Sequence, residues 1–201
     1  MAVRFASDKF ETQYKQTVGL DFFSARIQLP RDSSMTMQLW DIGGQSIGSK
    51  MLTRYIAGTD AVFLVFDITN FESFQNLEDW LRVVRSVPGP QPKVIALVAN
   101  KVDISHLRAV PRKRQEALAE ENGAYIFEVS AKTGYRVGSM FKQVAADLAK
   151  VKLRSRELQA EAKVVRAEVV QYQQNDPEVK APVVPGKEEP RSRRGKGCVI
   201  Q

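Results

Sequence analysis

The sequence has very little cysteine and histidine, and it has no long apolar run. Its 201 residues include one Cys and one His. A single Cys excludes a disulfide bond within the chain and is typical of a reducing compartment. With no second His and no Cys nearby, His106 is interpreted as a solvated loop residue rather than a metal ligand. No apolar run reaches the length of a membrane-spanning helix, and residues 1–8 lack the apolar core of a signal peptide.

Positive charge is in excess and is concentrated near the last residue. The net charge is +7 and the isoelectric point is about 9.6. A basic protein can bind nucleic acid or an anionic membrane. Residues 191–196 carry four cations with no acidic or aromatic residue among them, which favours an anionic membrane surface and predicts no nucleic-acid partner. A second basic cluster is interpreted as the solvated start of a helix: Arg108, Arg112, Lys113 and Arg114.

The one cysteine, Cys198, is followed by Val, Ile and a final Gln. This is a C-a-a-X prenylation signal, and Gln at the last place favours a farnesyl group. One lipid chain binds a membrane only marginally, so the cations before Cys198 supply a second signal. We expect a single domain over residues 1–172 and a disordered basic tail over 173–201, where prolines interrupt any periodic pattern.

The apolar pattern predicts an α/β fold. Residues 20–29 and 35–40 alternate apolar and polar side chains around a turn at 30–34, which predicts a β-hairpin. Two later segments are continuously apolar, 61–66 and 94–98, and a third, 125–129, is nearly so, as in parallel strands buried on both faces. Helical spacing recurs between and after them, at 71–84, 111–122 and 137–148. A last helix is predicted over 155–172, with Val164, Val165 and Val169 as its apolar strip.

Polar motifs follow three of these strands. They are Asp41-Ile42-Gly43-Gly44-Gln45, Asn100-Lys101-Val102-Asp103 and Ser130-Ala131-Lys132. In open α/β sheets ligands bind at the carboxyl ends of the strands. The three motifs therefore predict one shared site.

The second and third motifs have the chemistry to recognise a guanine base. The Asp103 carboxylate can accept hydrogen bonds from guanine N1–H and from the exocyclic amine, a donor pair that adenine lacks. Asn100 can tie the loops together or reach N7, and the aliphatic stem of Lys101 can cover one face of the base. The backbone N–H of Ala131 can donate to the carbonyl O6.

The first motif has the chemistry of a phosphate and metal site. Asp41 can hold Mg²⁺ through its water shell. Gly44 lets its backbone N–H approach a phosphate closely, and Gln45 can orient an attacking water.

Together these motifs resemble those of the small GTPases, whose signatures N-K-x-D, S-A-K and D-x-G-G-Q occur here in order, after an isolated Thr17. Within that superfamily the chain resembles a Rab, and most of all an atypical member that ends in C-a-a-X instead of two cysteines. The resemblance implies a Ras-like P-loop NTPase fold, a mostly parallel sheet with one antiparallel hairpin strand and helices on both faces. It implies GTP, GDP and Mg²⁺ as ligands, with Thr17 and Asp41 on the metal and Gln45 catalytic. The nucleotide would be bound by Thr17, Asp41, Gly44, Asn100, Lys101, Asp103, Ser130, Ala131 and Lys132.

The same resemblance implies partners and a location. Phe22, Trp40 and Tyr55 correspond to an aromatic triad through which Rabs contact partners. The expected partners are an exchange factor, a GTPase-activating protein, effectors, a prenyl transferase and lipid-chaperone proteins. The expected role is a switch in membrane trafficking on the cytoplasmic face of plasma, endosomal or ciliary membranes, with a cytosolic pool.

One family motif does not occur in the 201 residues, the phosphate loop G-x-x-x-x-G-K-[ST]. That loop would supply backbone N–H donors and a lysine to the phosphates. Two alternatives follow: an N-terminally truncated form of a working GTPase, or a short form without nucleotide chemistry that acts as a protein-interaction or competing module. In either case the missing first strand is expected to deprive two central strand edges of their partners, so that the chain folds poorly or rearranges.

Overall fold

The computed structural model describes residues 1–10, 17, 19–49, 51–159, 164–171 and 198–200. It begins with α1 (Ala2–Ser7) and continues with a hairpin of β1 (Leu20–Gln28) and β2 (Ser34–Ile42). These two strands pair antiparallel along their whole length, from Leu20 opposite Ile42 to Gln28 opposite Ser34. The hairpin predicted from alternating side chains is therefore confirmed.

Three parallel strands form the other half of the sheet: β3 (Ala61–Asp67), β4 (Val94–Asn100) and β5 (Tyr125–Glu128). Their apolar runs are buried because helices cover both faces of the sheet. Two further strands, β6 (Val164–Gln171) and β7 (Cys198–Ile200), complete the sheet, whose strand order is β5-β4-β3-β7-β2-β1-β6. The predicted α/β class, a parallel sheet with an antiparallel hairpin, is confirmed.

The centre of the sheet differs from the expectation of unpaired edges. The short strand β7 (Cys198–Ile200) lies between β2 and β3 and is parallel to both. Cys198 is opposite Leu39 on one side and Ala61 on the other. The two edges are not left unpaired, because neighbouring apolar edges offer free N–H and C=O groups to any extended apolar segment that can reach them.

The three helices predicted at 71–84, 111–122 and 137–148 begin and end within two residues of those bounds. The remaining helices are α2 (Leu52–Ile56), α3 (Phe71–Ser86), α4 (Arg112–Asn122), α5 (Val137–Ala149) and α6 (Ser155–Gln159). The Asn70 side chain caps α3 by accepting a hydrogen bond from the backbone N–H of Ser73 at 3.2 Å. Pro111 precedes α4, and Gly123 ends it in the left-handed conformation at φ 59°.

The last predicted helix is wrong beyond residue 159. Residues Val164–Gln171 form a strand, β6, that pairs antiparallel with β1, with Val170 opposite Phe22. The segment is rich in Val, which is disfavoured in helices, and β1 presents a free edge on its outer side. Pairing with that edge outweighs the weak helical periodicity. The cations of 191–196 and the linker predicted over 173–197 lie outside the described residues.

Two apolar clusters, one on each face of the sheet, hold the domain together. One cluster contains Phe5, Phe63 and Phe141, and it packs α1 and α5 on the sheet. The other contains Phe66, Phe74 and Trp80, and it packs α2, α3 and α4 on the opposite face. In the part of the chain that is described, none of the helices combines the length and apolarity needed to cross a membrane.

Candidate functional site

The carboxyl ends of the three parallel strands are tied together by backbone hydrogen bonds. The N–H of Ile68 after β3 donates to the carbonyl of Asn100 at 3.2 Å. The N–H of Val129 after β5 donates to Ala99 at 2.9 Å, and Val102 donates back to Val129 at 3.2 Å. The Asn100–Asp103 and Ser130–Lys132 motifs therefore lie side by side at one edge, as the shared-site prediction requires.

Asn100 joins the two motifs. Its side-chain oxygen accepts a hydrogen bond from the backbone N–H of Ala131 at 3.0 Å. This is the loop-tying role predicted for Asn100. It also engages the N–H that was predicted to donate to guanine O6, so that N–H must be shared or released before it can bind a base.

Asp103 is exposed at the surface and held by one hydroxyl. The buried Ser130 hydroxyl donates to its carboxylate at 2.6 Å. The same Ser130 oxygen accepts from the backbone N–H of Thr133 at 3.1 Å, which fixes its orientation. One carboxylate oxygen has a protein donor, and the lone pairs that remain are sufficient for two further donors on a ligand. Lys132, the charged member of the Ser130–Lys132 motif, is also exposed.

Lys101 is held by a residue that sequence reasoning did not single out. It adopts the left-handed conformation at φ 70°, and its ammonium pairs with Asp67 at 2.6 Å. Asp67 ends β3 and also accepts from the hydroxyl of Thr69 at 2.7 Å. Burial alone would raise the pKa of Asp67, but the hydrogen bonds from Lys101 and Thr69 outweigh it and the pKa is lowered. Asp67 therefore stays ionised and fixes the direction of the Lys101 stem.

The phosphate-side residues lie at the end of β2. Burial raises the pKa of Asp41 to about 6, the ammonium of Met1 acts to lower it, and Asp21 acts to raise it. Gly43 is buried, and a Cβ on it would lie 2.1 Å from the carbonyl oxygen of Thr17. Thr17 and Asp41 are therefore brought to the same end of the hairpin by a close approach that only glycine at position 43 allows.

Gly44 and Gln45 belong to a short 3-10 helix, Gly44–Ser46, that follows directly. Both residues are exposed to solvent. The structure thus places Gln45 two residues beyond the Thr17–Gly43 contact, at the surface, where a ligand or a partner protein can reach it.

The residues present fit a nucleotide with Mg²⁺. Mg²⁺ in nucleotide sites is held through one or two carboxylates together with ligand phosphates. Asp41 supplies a carboxylate at the end of β2, where Thr17 approaches Gly43, and the described residues contain no cluster of three or more acidic, His or Cys side chains. A guanine base fits the exposed carboxylate of Asp103 beside the Ala131 N–H.

The predicted aromatic triad is assembled. The rings of Phe22 and Trp40 lie 4.9 Å apart edge to face, and those of Trp40 and Tyr55 lie 5.8 Å apart and stacked. Phe22 is buried, with 6% of its surface exposed, whereas Trp40 and Tyr55 are half-buried. In this structure a partner could therefore touch Trp40 and Tyr55 directly and Phe22 only through them.

Part of the second basic cluster has a structural role instead of a solvated one. Arg108, half-buried, pairs with Glu128 of β5 at 2.7 Å, and Arg112 pairs with the same carboxylate at 3.0 Å. Burial alone would raise the pKa of Glu128, but the hydrogen bonds from Arg112 and Arg108 outweigh it and lower the pKa. The interpretation of Arg108 as solvated is wrong because Glu128, although in a strand, has its carboxylate within reach of this arginine.

A cavity of about 390 Å³ lies beside these pairs and also contacts Asp103 and Ser130. Asn100, Lys101 and Ala131 do not line it. The cavity therefore touches Asp103 and Ser130 of the two motifs, and Arg108, Arg112 and Glu128 also line it.

Three residues at or beside the site were missed by sequence reasoning: Arg4, which donates to the Ala131 carbonyl at 2.9 Å, Asp67, which pairs with Lys101, and Glu128, which pairs with Arg108. Asp67 ends a buried strand, and the same strand-end criterion that found Asn100 could have found it. Arg4 lies 127 residues from Ala131, and Glu128 lies 20 residues from Arg108, so no local sequence pattern predicts either contact.

Two comparisons with known proteins agree with this geometry. The sequence profile of the Ras family matches residues 1–150. The chain is also 41% identical, over 170 residues, to the Ras-related protein Rab-28 of Caenorhabditis elegans, an alignment that covers 84% of this chain and 68% of the relative.

Proposed function

The chain belongs to the Ras family and is a Rab-type small GTPase, and from this premise we propose that the strand-end cluster binds the guanine base of GTP and GDP and that Asp41 and Thr17 hold Mg²⁺. The observation that supports the base assignment best is the exposed Asp103 carboxylate, oriented by the Ser130 hydroxyl at 2.6 Å. A carboxylate selects guanine because guanine presents two N–H donors side by side, whereas adenine presents an acceptor at N1.

Hydrolysis of GTP is the proposed reaction. Bound Mg²⁺ would neutralise phosphate charge. Gln45, exposed directly after the Gly43–Gly44 pair, would orient the attacking water, and a partner protein would contribute the remaining transition-state charge. Thr17 contacts Gly43, two residues before Gln45, so a ligand that binds both Thr17 and Gln45 can hold them together and present a surface for effectors to recognise.

Base recognition can be tested without relying on phosphate contacts, which matters because the 201 residues contain no G-x-x-x-x-G-K-[ST] motif. We expect GMP to shift the backbone NMR signals of residues 100–103 and 130–132, and AMP at the same concentration to leave them unchanged. Equal shifts with both nucleotides, or none with either, would contradict the guanine assignment. In that case the alternative of a protein-interaction module without nucleotide chemistry would be favoured.

Membrane trafficking is the wider role that we propose, with Cys198 farnesylated and the basic stretch before it on an anionic leaflet. Exchange factors, activating proteins and effectors would bind near Trp40, Tyr55 and Gln45, and the lipid would be handled by a prenyl transferase and a lipid chaperone. In strand β7 the backbone of Cys198 is paired on both sides. Farnesylation therefore requires that β7 first leave the sheet.

A rate comparison tests the lipid assignment. A peptide of residues 190–201 has the same C-a-a-X sequence but no sheet to bind. With purified farnesyl transferase and farnesyl diphosphate, we expect both to gain one farnesyl group by mass spectrometry, the whole chain more slowly than the peptide. A Cys198→Ser chain should gain none. A chain that stays unmodified while the peptide is fully modified would contradict the proposed anchor.

A further inference from the structure

We propose that Arg4 is a positioning residue for base recognition, which holds the Ser130–Lys132 loop from helix α1 and so sets how strongly the Ala131 N–H can bind a guanine carbonyl. The proposal rests on the guanine assignment above. Arg4 matches none of the sequence motifs of the site, and it lies 127 residues before Ala131.

The Arg4 guanidinium bridges two segments of the chain. Its Nε donates to the carbonyl of Ala131 at 2.9 Å, and its Nη2 donates to the carbonyl of Lys132 at 2.5 Å. Its Nη1 donates to the backbone carbonyl of Asp8 at 2.8 Å and to the Asp8 carboxylate at 3.0 Å. Only 16% of the Arg4 side chain is exposed. A planar fork with donors on three nitrogens can bind all these acceptors at once, which an ammonium cannot do.

The end of α1 prepares Arg4 for this contact. Asp8 caps the helix in the left-handed conformation at φ 53°, with its N–H bonded to the carbonyl of Arg4. The cap brings the Asp8 carbonyl and carboxylate back over Nη1, so one edge of the guanidinium is fixed within α1 and the opposite edge faces the loop. Phe5, the next residue, stacks on Phe141 at 4.0 Å and anchors α1 to the core.

The loop itself depends on few contacts. Its N–H groups are engaged internally or by Asn100: Ala131 donates to Asn100, Thr133 to the Ser130 hydroxyl, and Gly134 to the Ser130 carbonyl at 2.9 Å. Arg4 binds the carbonyls of Ala131 and Lys132, on the other side of the same backbone. Because peptide units are planar, fixing these carbonyls restricts rotation of the backbone next to the Ala131 N–H. Removal of Arg4 should therefore loosen that donor without touching Asp103.

The first measurement needs no nucleotide. In the unliganded chain with Arg4→Ala, we expect the amides of Ala131, Thr133 and Gly134 to exchange with D₂O about tenfold faster than in the unchanged chain. Arg4→Lys should be intermediate, since it keeps the charge and loses the fork. Arg85→Ala, an exposed arginine in the last turn of α3, serves as the matched control and should leave all three amides unchanged. If Arg4→Ala leaves the exchange rates of these three amides unchanged, Arg4 does not hold the loop and the proposal is overturned.

The second measurement tests whether the contacts of Arg4 with the loop affect binding of the base. Arg4→Ala should lower the affinity for GMP about tenfold. It should lower the affinity for 6-thio-GMP much less, because sulfur at position 6 is a poor acceptor for the Ala131 N–H while the Asp103 contacts remain. An equal loss for both ligands would reduce Arg4 to general stability and overturn the positioning role. If neither the unchanged chain nor its variants bind GMP, the guanine assignment fails. The amide exchange rates still decide whether Arg4 holds the loop.

Discussion

Replacing Asp103 by Asn should transfer the preference of the site from guanine to xanthine. Guanine presents N1–H and an exocyclic amine, and xanthine presents N1–H and a carbonyl at the same place. The Asn oxygen can still accept from N1–H and from the Ser130 hydroxyl, which lies 2.6 Å from the carboxylate. The Asn amide N–H then opposes the guanine amine but matches the xanthine carbonyl.

The expected size follows from hydrogen bonds to a charged group, which contribute about 1.5–3 kcal/mol each. The Asp103→Asn variant loses one such hydrogen bond to GMP and places the Asn N–H against the guanine amine, so the affinity for GMP should fall about a hundredfold. The affinity for XMP should rise at least about tenfold. Both affinities can be measured by NMR titration. Asp79→Asn is the matched control, because Asp79 is an exposed residue of α3 paired only across one turn with Arg82 at 2.9 Å. If both variants leave the ratio of GMP to XMP affinity unchanged, Asp103 does not read the base.

Replacing Phe141 by Ala should cause the largest loss of stability of any single change considered. Phe141 is fully buried, and its ring lies 4.0 Å from that of Phe5 and 5.0 Å from that of Phe63. Truncating such a residue costs about 3–5 kcal/mol, through lost burial and the cavity that remains. Domains of this size are stable by about 5–15 kcal/mol, so a large fraction of the stability is at stake.

Urea unfolding measures this loss as a fall in the midpoint at unchanged slope. The control is Leu107→Ala, since Leu107 is 58% exposed and its truncation should cost within about 0.5 kcal/mol. Because Phe5 follows Arg4 and stacks on Phe141, the variant should also speed amide exchange at Ala131 and Thr133 under native conditions. A loss below about 1 kcal/mol would mean that α1 and α5 repack without a cavity.

Local sequence patterns account for most of the strands and helices of the domain. The hairpin, the three buried strands and the helix boundaries at Asn70, Pro111 and Gly123 follow from spacing and capping within a few residues, and all are confirmed. The motifs at Asn100 and Ser130 also met as expected for the ends of neighbouring strands, because parallel strands bring their carboxyl ends to one edge. The aromatic rings of Phe22, Trp40 and Tyr55 came together in the same way, through paired and adjacent elements.

The errors concern segments whose partners lie far away in the sequence. Val164–Gln171 has weak helical spacing, but a free edge on β1 makes it a strand. Cys198–Ile200 is too short to predict as a strand, yet it pairs with both β2 and β3. Arg108 is a surface residue by composition, yet Glu128 on β5 binds it in a half-buried pair.

By itself, then, the sequence determined the class of the fold, its hairpin, its three buried strands, the helices that follow them, and the adjacency of Asn100 and Ser130, because each depends on propensity and periodicity within a segment or on adjacent strand ends. Only the tertiary structure decided which edges β6 and β7 pair with, that Asp67 fixes Lys101, and that Arg4 holds the Ala131 loop. These contacts depend on which strand edges and backbone carbonyls remain unpaired once the core has formed. A local sequence pattern cannot predict such edges and carbonyls, because they lie far away in the sequence.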